Sequence, residues 1–377
     1  MEHVLIRYGE IGTKTGKARS HMQQVLRQRV ADKLQHENID FQKVSSQPGR
    51  IIVETEKAEE AAEALKLIPG ISSVSPAERT EADMEKIKKE TEKLEAGKTF
   101  GVEANTAFTD ITTRQIKKEV GAHIDQKKDA SVDLDNPETW VEVEVRDEDA
   151  YISNKKLEGV GGLPVGTQDG YAALVSGGID SPVAAYQMMK RGADVKPIYF
   201  YNKPIAAVDH LARFEEVIEK LQAFHPGKKW YYFVVDMQKV NKKLLDQVGK
   251  GRMVLHRKVM FEVAEKIAED EGLKGIATGE SLGQKSSQTA QNLEMTTREI
   301  QKPLMRPLLS FNKNEISEMA RRIGTFELAE INSACQSLSP ENPATELKED
   351  QLKELEEKIE IDDLIDKALE NVEKKEL

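Results

Sequence analysis

The sequence predicts an α/β protein in which two small α+β units precede a doubly wound parallel sheet. Strand-like and helix-like patterns alternate over the first 157 residues, which is typical of small α+β units. A glycine-rich segment, EGVGGLPVG, then interrupts this alternation at residues 158–166. Beyond it the predicted strands become almost entirely apolar, as strands do when helices cover both faces of a parallel sheet.

The first 157 residues are predicted to form two units, divided between residues 78 and 79. Apolar periodicity separates the strands from the helices, and the Pro69–Gly70 pair ends one helix. In the first unit the predicted elements are a strand at 3–8, a loop at 9–16, a long helix after Gly16, a strand at 50–55, a helix at 59–67 and a strand at 71–78. In the second unit they are a helix at 84–94, a strand at 99–104, a helix at 112–124 and a strand at 140–145.

A linker at residues 158–170 is predicted to lead into a doubly wound α/β domain at residues 171–340. The predicted strands of this domain lie at 172–175, 195–201, 230–235 and 275–277, with helical patterns between them. Ligands of such sheets bind beyond the carboxyl ends of the strands. We therefore expect the functional site of this domain at that edge of the sheet.

The last 37 residues carry most of the negative charge of the chain. Residues 341–377 hold fourteen acidic residues and six lysines, a net charge of −8, so the preceding residues account for only −3 of the total of −11. Apolar residues recur there at roughly helical spacing, which predicts an acidic helical tail that packs on its own domain or on a partner. The alternative is a frayed, solvated tail. No motif residue lies in this segment, so its removal is expected to leave catalysis intact.

Composition excludes several classes of protein. No apolar run approaches the roughly 18 residues that a membrane-spanning helix needs, and the N-terminus lacks the features of a signal peptide. The single cysteine, Cys335, excludes an internal disulfide framework and a zinc site built from paired cysteines. These observations predict a cytoplasmic protein.

One segment has the features of a phosphate-binding loop. The apolar strand that ends at Val175 runs into Ser176-Gly177-Gly178-Ile179-Asp180-Ser181-Pro182 and then into an amphipathic helix. Such a turn presents backbone N–H groups and the positive end of a helix to an anion, and its glycines let phosphate oxygens approach the backbone. The alternative, a plain strand–helix turn, is disfavoured because strand, Asp-Ser pair and helix occur in register.

Two commoner phosphate loops are excluded by their spacing. Gly97-Lys98-Thr99 ends like a Walker loop, but its first glycine would have to be residue 92, which is a glutamate. Gly159-Val160-Gly161 lacks the third glycine of a dinucleotide-binding fingerprint, because that position is Pro164.

The loop at 176–181 resembles the PP-loop of the ATP pyrophosphatases, which cleave ATP to AMP and pyrophosphate through an adenylated substrate. Further stretches resemble the tRNA 4-thiouridine synthetases, the ThiI family of tRNA uracil 4-sulfurtransferases: residues 158–168 (EGVGGLPVGTQ), residues 278–289 (TGESLGQKSSQT), and Arg306-Pro307-Leu308 followed by Lys313. This resemblance covers about residues 1–340. It implies a ferredoxin-like domain at 1–78, a THUMP RNA-binding domain at 79–157, whose family boundary starts near residue 59, and a PP-loop ATP pyrophosphatase domain at 171–340.

The resemblance also implies an ATP site with catalytic residues. A carboxylate beside a triphosphate repels it unless a cation intervenes, so Asp180 is expected to work through Mg²⁺. Lys313 would offset the charge that develops during adenylyl transfer, although the residue alone also fits a surface lysine at a helix start. The ATP-binding positions would be Leu174, Val175, Ser176, Gly177, Gly178, Ser181, Arg257, Gly279 and Gln288. No residues are predicted to form a metal site of their own.

Basic residues in the first 157 residues are the predicted contacts to tRNA. The stretch from Gly12 to Lys33 holds six Lys and Arg residues against the single acid Asp32, and a local basic face can bind phosphate whatever the total charge. The alternative is an ordinary solvated helix face. The predicted contacts are Lys14, Lys17, Arg19, Arg114, Lys117 and Lys118. Aromatic residues make up only 5%, so no stacking platform is predicted.

Thiolation requires a sulfur carrier, and the sequence offers one cysteine for that task. Some members of the family end in a rhodanese domain with a persulfide cysteine; this chain is expected to be a short form without it. Cys335 falls where the family has a cysteine, and its polar neighbours favour a catalytic role over that of a buried, inert thiol. The expected partners are tRNA, a persulfide-carrying sulfur donor such as a cysteine desulfurase, and a second copy of the chain in a homodimer.

The sequence thus predicts an ATP-dependent tRNA sulfurtransferase that makes 4-thiouridine at position 8, with a link to thiamine biosynthesis. One alternative is a PP-loop ligase acting on a small metabolite, against which the long RNA-binding N-terminal part argues. The other is a tRNA-binding protein with a degenerate nucleotide site, against which the intact Ser-Gly-Gly-x-Asp-Ser loop argues.

Overall fold

The computed structural model describes residues 2–202, 209–227, 230–284, 288–329 and 347–377. The chain divides into two compact units, one formed by residues 1–164 with 226–228 and the other by residues 165–225 with 229–377. None of the described helices combines the length and the hydropathy needed to cross a membrane.

The first half of the first unit is an antiparallel sheet with two helices. Its elements are β1 His3–Arg7, a 3₁₀ helix Glu10–Thr13, α1 Gly16–His36, β2 Lys43–Gln47, β3 Arg50–Glu54, α2 Ala58–Leu65 and β4 Ser73–Glu81. The apolar faces of α1 and α2 pack with those of β1 and β3 in one core. The sequence prediction missed β2, because Lys43–Gln47 is only partly buried and lacks an apolar run.

The second half of this unit continues the same sheet. Its elements are α3 Met84–Thr91, β5 Thr99–Ala107, α4 Thr113–Lys127, β6 Ser131–Val132, β7 Thr139–Arg146, β8 Asp149–Ser153 and β9 Leu157–Glu158. The strand order is β2-β3-β1-β4-β8-β7-β5-β6, with β9 on β4. Strand β4 joins the halves, since Ser73–Ala77 pairs with β1 and Glu78–Glu81 pairs with β8. The predicted division between residues 78 and 79 falls inside this strand.

The first part of the predicted linker at residues 158–170 approaches the backbone of the first unit closely. The backbone N–H groups of Gly159 and Gly161 donate to the carbonyl oxygens of Ser72 and Ile71 at 2.9 and 2.8 Å. A Cβ atom at Gly159 would lie 2.2 Å from the carbonyl oxygen of Ile71. Only glycine permits this approach.

The second unit contains the predicted parallel sheet. Its elements up to residue 329 are β10 Gly170–Leu174, α5 Asp180–Lys190, β11 Asp194–Tyr201, α6 Asp209–Gln222, β12 Tyr231–Asp236, α7 Gln238–Gln247, α8 Arg252–Asp270, β13 Gly275–Thr278, α9 Ala290–Thr297, β14 Leu304–Met305 and α10 Lys313–Arg322. The described strands run in the order β14-β13-β10-β11-β12, and each neighbouring pair is parallel. The predicted α/β class is confirmed.

The acidic C-terminal segment completes this unit. It forms α11 Glu349–Ile359, α12 Ile361–Leu369 and β15 Val372–Glu376, and β15 pairs antiparallel with the edge strand β12. The core that contains the apolar faces of β10–β13 and α8 also contains Leu347, Leu352, Ile359, Ile361, Leu364, Ile365 and Ala368. The alternative of a frayed, solvated tail is therefore wrong, because the apolar face of the tail is part of the core of the second unit. The same packing argues against the expectation that removal of the tail leaves catalysis intact. The tail packs on its own domain, and its last strand was not predicted.

Candidate active site

The loop between β10 and α5 is held by its own side chains. The backbone N–H of Ser176 donates to Oγ of Ser181 at 2.8 Å, and the two Oγ atoms are 3.1 Å apart. The N–H of Gly178 donates to Oγ of Ser176 at 3.3 Å. Helix α5 begins at Asp180, so its positive end faces this loop. The loop has the form of an anion-binding turn before any ligand is bound.

Gly279 lets the next strand approach this helix start. It follows β13, and a Cβ atom there would lie 2.8 Å from both N and Cα of Ser181. Any residue with a Cβ atom at this position would push the end of β13 away from the loop. The atoms that it would meet belong to the backbone of Ser181, which cannot move aside as a flexible side chain can. The close approach of β13 to the start of α5 thus requires glycine at residue 279, while its contact with ATP stays a prediction.

The carboxylate of Asp180 is bound by two side chains that are distant in sequence. Nζ of Lys313 donates to its Oδ1 at 3.1 Å, and Nε2 of Gln284 donates to the same oxygen at 3.3 Å. Lys313 is the first residue of α10, where Asn312 and Glu315 form a reciprocal capping box. Asn312 therefore orients the helix that brings Lys313 to the phosphate-binding loop.

One cavity is lined by the predicted ATP-binding residues together. Its lining includes Leu174, Val175, Ser176, Gly177, Gly178, Asp180, Ser181, Arg257, Gly279 and Gln288. Nζ of Lys313 contacts the carboxylate of Asp180, which lines this cavity. The sequence prediction missed other lining residues: Tyr199, Phe200, Asn202, His210, Met260, Phe261, Thr278 and Glu280. Tyr199, Phe200 and Asn202 could have been found, because they lie at the carboxyl end of the parallel strand next to β10.

A buried carboxylate holds two arginines at this cavity. Glu280 is 1% exposed and forms ion pairs with Arg257 and Arg306. The pair with Arg306 measures 2.7 Å between Nε and Oε2. Because one carboxylate pairs with two guanidinium groups, this cluster of three side chains carries a net positive charge. Glu280 and Arg306 lie in the stretches that resemble the 4-thiouridine synthetases.

The residues fit a nucleoside triphosphate. The loop N–H groups and the start of α5 suit phosphates, while the rings of Tyr199 and Phe200 and the side chains of Met260 and Phe261 suit a base. Oε1 of Gln288 is buried and has no hydrogen-bond partner among the described residues. A buried acceptor of this kind requires a donor, and a nucleotide hydroxyl or amino group supplies one.

The fit to Mg²⁺ rests on Asp180. The described residues contain no group of three or more His, Cys, Asp or Glu side chains that could hold a metal ion. Mg²⁺ is commonly held by one or two carboxylates together with substrate phosphates. Asp180 beside a phosphate-binding loop matches that pattern.

Cys335 lies outside the residues that the structure describes, as do residues 285–287 of the Gly-Gln-Lys-Ser-Ser-Gln run. The catalytic role of Cys335 therefore stays a prediction from the sequence.

The predicted tRNA contacts lie in the first unit. Lys14 is exposed and directly follows the 3₁₀ helix. Lys17 is exposed and Arg19 is partly buried in the first turn of α1. Lys33, which contributed to the predicted basic face, is instead 1% exposed and pairs with Glu37 at 2.5 Å. It therefore does not belong to an exposed basic face.

The other three predicted contacts surround a groove. Arg114, Lys117 and Lys118 are exposed on α4 and line it together with Val132, Leu134 and Trp140. Trp140 is 43% and Leu134 71% exposed. An exposed indole beside three cations suits a nucleic acid, and the sequence prediction missed this aromatic residue because its exposure depends on the tertiary structure.

Comparisons with known proteins agree with the prediction of ferredoxin-like, THUMP and PP-loop domains in this order. The chain matches the family described as "Thiamine biosynthesis protein (ThiI)" over residues 166–361, the "ThiI ferredoxin-like domain" over residues 3–75 and the "THUMP domain" over residues 81–155. It is 37% identical over 355 residues to the "Probable tRNA sulfurtransferase" of Thermococcus kodakarensis, covering 90% of this chain and 92% of the relative. It is 36% identical to that of Halobacterium salinarum, with 91% and 90% covered.

A solved structure is similar over the whole length. The structure described as a "4-thiouridine synthetase - RNA complex with bound ATP" has a TM-score of 0.88 and 31% sequence identity, and the match covers 100% of both chains. The predicted order of ferredoxin-like, THUMP and PP-loop domains is confirmed by these matches. The protein is an enzyme that belongs to the ThiI family of tRNA sulfurtransferases.

Proposed function

We propose that this protein uses ATP to convert uridine at position 8 of tRNA to 4-thiouridine. The observation that carries this proposal is the cavity in which the phosphate-binding loop, Arg257, Gly279 and Gln288 meet, with Lys313 bound to Asp180 beside it. The relatives named tRNA sulfurtransferase and the similar structure with RNA and ATP support the substrates.

The residues of the cavity would promote an adenylyl transfer. The oxygen at C4 of the uracil attacks the α-phosphorus of ATP, and the bond from that phosphorus to the pyrophosphate oxygen breaks. The N–H groups of the loop hold the phosphates in line, while Lys313 and Arg257 stabilise the negative charge that develops. Mg²⁺, when bound at Asp180, supplies further neutralisation of that charge.

Sulfur then replaces the activated oxygen. A carbonyl oxygen is a poor leaving group, whereas AMP is a good one. A persulfide or sulfide sulfur adds to C4, the C4–O bond breaks, and AMP departs with both electrons of that bond. When a persulfide supplies the sulfur, a thiol reductant cleaves its S–S bond to release the product.

The sulfur donor, the oligomeric state, the cellular location and the link to thiamine are also part of the proposal. A cysteine desulfurase would deliver the sulfur as a persulfide, and the protein would act as a homodimer in the cytoplasm, where tRNA is modified. Thiamine biosynthesis would draw on the same sulfur transfer, which is supported by the family description.

The test is whether pyrophosphate release from ATP depends on unmodified tRNA. We expect release only when ATP, Mg²⁺ and unmodified tRNA are present together, and 4-thiouridine in the tRNA once a sulfur donor is added. Release without tRNA would support a ligase for a small metabolite. Binding of tRNA without any release would support a degenerate nucleotide site.

Replacing Cys335 with serine is expected to separate the two half-reactions. Adenylation requires no thiol, so tRNA-dependent pyrophosphate release should persist, whereas 4-thiouridine formation from a protein persulfide donor should be lost. Free sulfide should restore thiolation, because it needs no carrier. A pyrophosphate assay measures adenylation and thionucleoside analysis of the tRNA measures thiolation. Normal thiolation by the serine variant with the protein donor would make Cys335 an inert thiol.

Replacing Lys117 and Lys118 with alanine is expected to weaken tRNA binding in a salt-dependent way. If each lysine contacts one phosphate, the slope of log K against log salt should become shallower by about one per lysine. Lys127→Ala is the matched control, since this exposed lysine lies on the same helix but does not line the groove. Filter binding over a salt series measures the slope, and an equal effect of all three substitutions would contradict a specific contact.

A further inference from the structure

The carboxylate of Glu280 is buried at the nucleotide cavity, where an isolated negative charge would oppose the binding of a triphosphate. Glu280 follows Gly279 just beyond β13 and lines the cavity. A buried carboxylate is strongly destabilising unless positive partners surround it. The partners of Glu280 therefore decide what this carboxylate does at the site.

The two oxygens of Glu280 are held in different ways. Oε2 accepts a hydrogen bond from Nε of Arg306 at 2.7 Å. Oε1 forms an ion pair with Nη2 of Arg257 but accepts no hydrogen bond from the described residues. Arg306 is thus held by an aligned donor, whereas Arg257 is held to the carboxylate by charge.

Arg306 anchors the carboxylate to helix α9. Besides its bond to Glu280, it donates from Nη2 to Oγ1 of Thr297, the last residue of α9, at 3.2 Å. A guanidinium group can make two such bonds at once because its donors form a rigid fork. Arg306 is not among the residues that line the cavity. Its role in the cluster is therefore to fix Glu280 rather than to meet a ligand.

Arg257 is the arginine of the cluster that lines the cavity. It lies on α8, and the phosphate-binding loop lines the same cavity. Ordering a long arginine side chain when a ligand binds costs conformational entropy. Glu280 lowers that cost, because it restrains the guanidinium before the nucleotide arrives. Arg257 has further contacts in the protein, so Glu280 is one restraint among others.

The second arginine explains how a carboxylate can serve a site for an anion. Glu280 paired with Arg257 alone would cancel the charge that attracts phosphate. Arg306 adds a second positive charge, so the three side chains together stay positive. Glu280 can therefore hold Arg257 without neutralising the cluster.

We propose that Glu280 is a positioning residue for adenylyl transfer, which holds the guanidinium of Arg257 where it stabilises the charge that develops on the phosphates, with Arg306 as its anchor. A carboxylate only accepts and a guanidinium only donates, so neither contact depends on a choice between two orientations of a side chain. This inference rests on the proposed function, since it presumes that ATP binds in this cavity.

Glu280→Asp is the direct test, because it keeps the charge of the carboxylate and withdraws it by one methylene group. A displacement of about 1 Å can lower a rate by about a hundredfold, so we expect kcat for tRNA-dependent pyrophosphate release to fall by at least about tenfold. KM for ATP should change little, since the charge beside the phosphates is kept. An unchanged kcat, or a loss confined to KM, would overturn the proposal.

The background Arg257→Ala separates positioning from a structural role. If Glu280 acts through Arg257, Glu280→Asp should lower kcat by less than about twofold once Arg257 is alanine. The same loss in both backgrounds would overturn the proposal, as would an Arg257→Ala single variant with the wild-type rate. Single-turnover release of labelled pyrophosphate measures the slow variants. Glu294→Gln is the matched control, because this exposed residue of α9 does not line the cavity.

Glu280→Gln repeats the comparison with a side chain of unchanged length. It removes the charge that holds Arg257, so kcat should fall again only when Arg257 is present. This variant decides the proposal if Glu280→Asp does not fold, as judged by circular dichroism. Loss of the fold in both variants would assign Glu280 to stability and overturn the positioning role.

The failure of this inference and the failure of the proposed function give different results. If the wild-type protein releases no pyrophosphate from ATP in the presence of unmodified tRNA, the proposed function fails. If the wild-type protein is active and Glu280→Asp behaves alike with and without Arg257, the inference about Glu280 fails while the proposed function stands.

Discussion

Replacing Asp180 with alanine is expected to lower tRNA-dependent pyrophosphate release by at least about a hundredfold, as removal of one group that stabilises a charged transition state does. Oδ1 of Asp180 binds Nζ of Lys313 at 3.1 Å and Nε2 of Gln284 at 3.3 Å. The substitution therefore removes both the predicted Mg²⁺ ligand and the group that holds Lys313 at the loop. Affinity for tRNA should persist, because the predicted RNA contacts belong to the first unit.

Asp169→Ala is the matched control for this experiment. Asp169 is exposed and immediately precedes β10, at the end of that strand opposite the phosphate-binding loop, so its substitution should leave pyrophosphate release unchanged. Lys313→Ala combined with Asp180→Ala should cost less than the two single losses multiplied, since the residues act as a pair. Near wild-type release by Asp180→Ala would contradict the assignment of the site.

A chain that ends at residue 346 is expected to lose the folded second unit. The removed segment buries six large apolar side chains, Leu347, Leu352, Ile359, Ile361, Leu364 and Ile365. At about 1.5–3 kcal/mol for each buried side chain, their loss is comparable to the whole stability of a typical domain, about 5–15 kcal/mol. The truncation also exposes β12 as an unpaired edge, because β15 pairs with it along five residues.

Thermal unfolding followed by circular dichroism measures this effect, with Leu364→Ala as a milder variant. That substitution should cost about 2–5 kcal/mol, whereas Asp366→Ala, at an exposed position on the same helix, should cost little. A truncated protein that retains the wild-type melting transition and pyrophosphate release would contradict the role of the tail in the core.

Local sequence patterns were sufficient to predict the α/β architecture and the phosphate-binding loop. The apolar strand, the Ser-Gly-Gly turn, Asp180 and Pro182 are neighbours in sequence, so their chemistry can be inferred from residue order alone. The resemblance extended this inference to Arg257, Gly279, Gln288 and Lys313, and the structure brings these residues to the same cavity. The strands β2, β6, β8, β9, β14 and β15 were missed, because strands of five residues or fewer carry little periodic signal.

The sequence by itself determined the order of the domains, the α/β class, the phosphate-binding loop and the family to which the chain belongs. Only the tertiary structure decided that Glu280 joins Arg257 to Arg306, that Lys313 and Gln284 meet at Asp180, and that the acidic tail supplies apolar side chains to the core. The physical reason is that a motif is a property of adjacent residues. Partners separated by tens of residues, such as Glu280 and Arg306, are set by how the helices and strands pack together, which local periodicity does not encode.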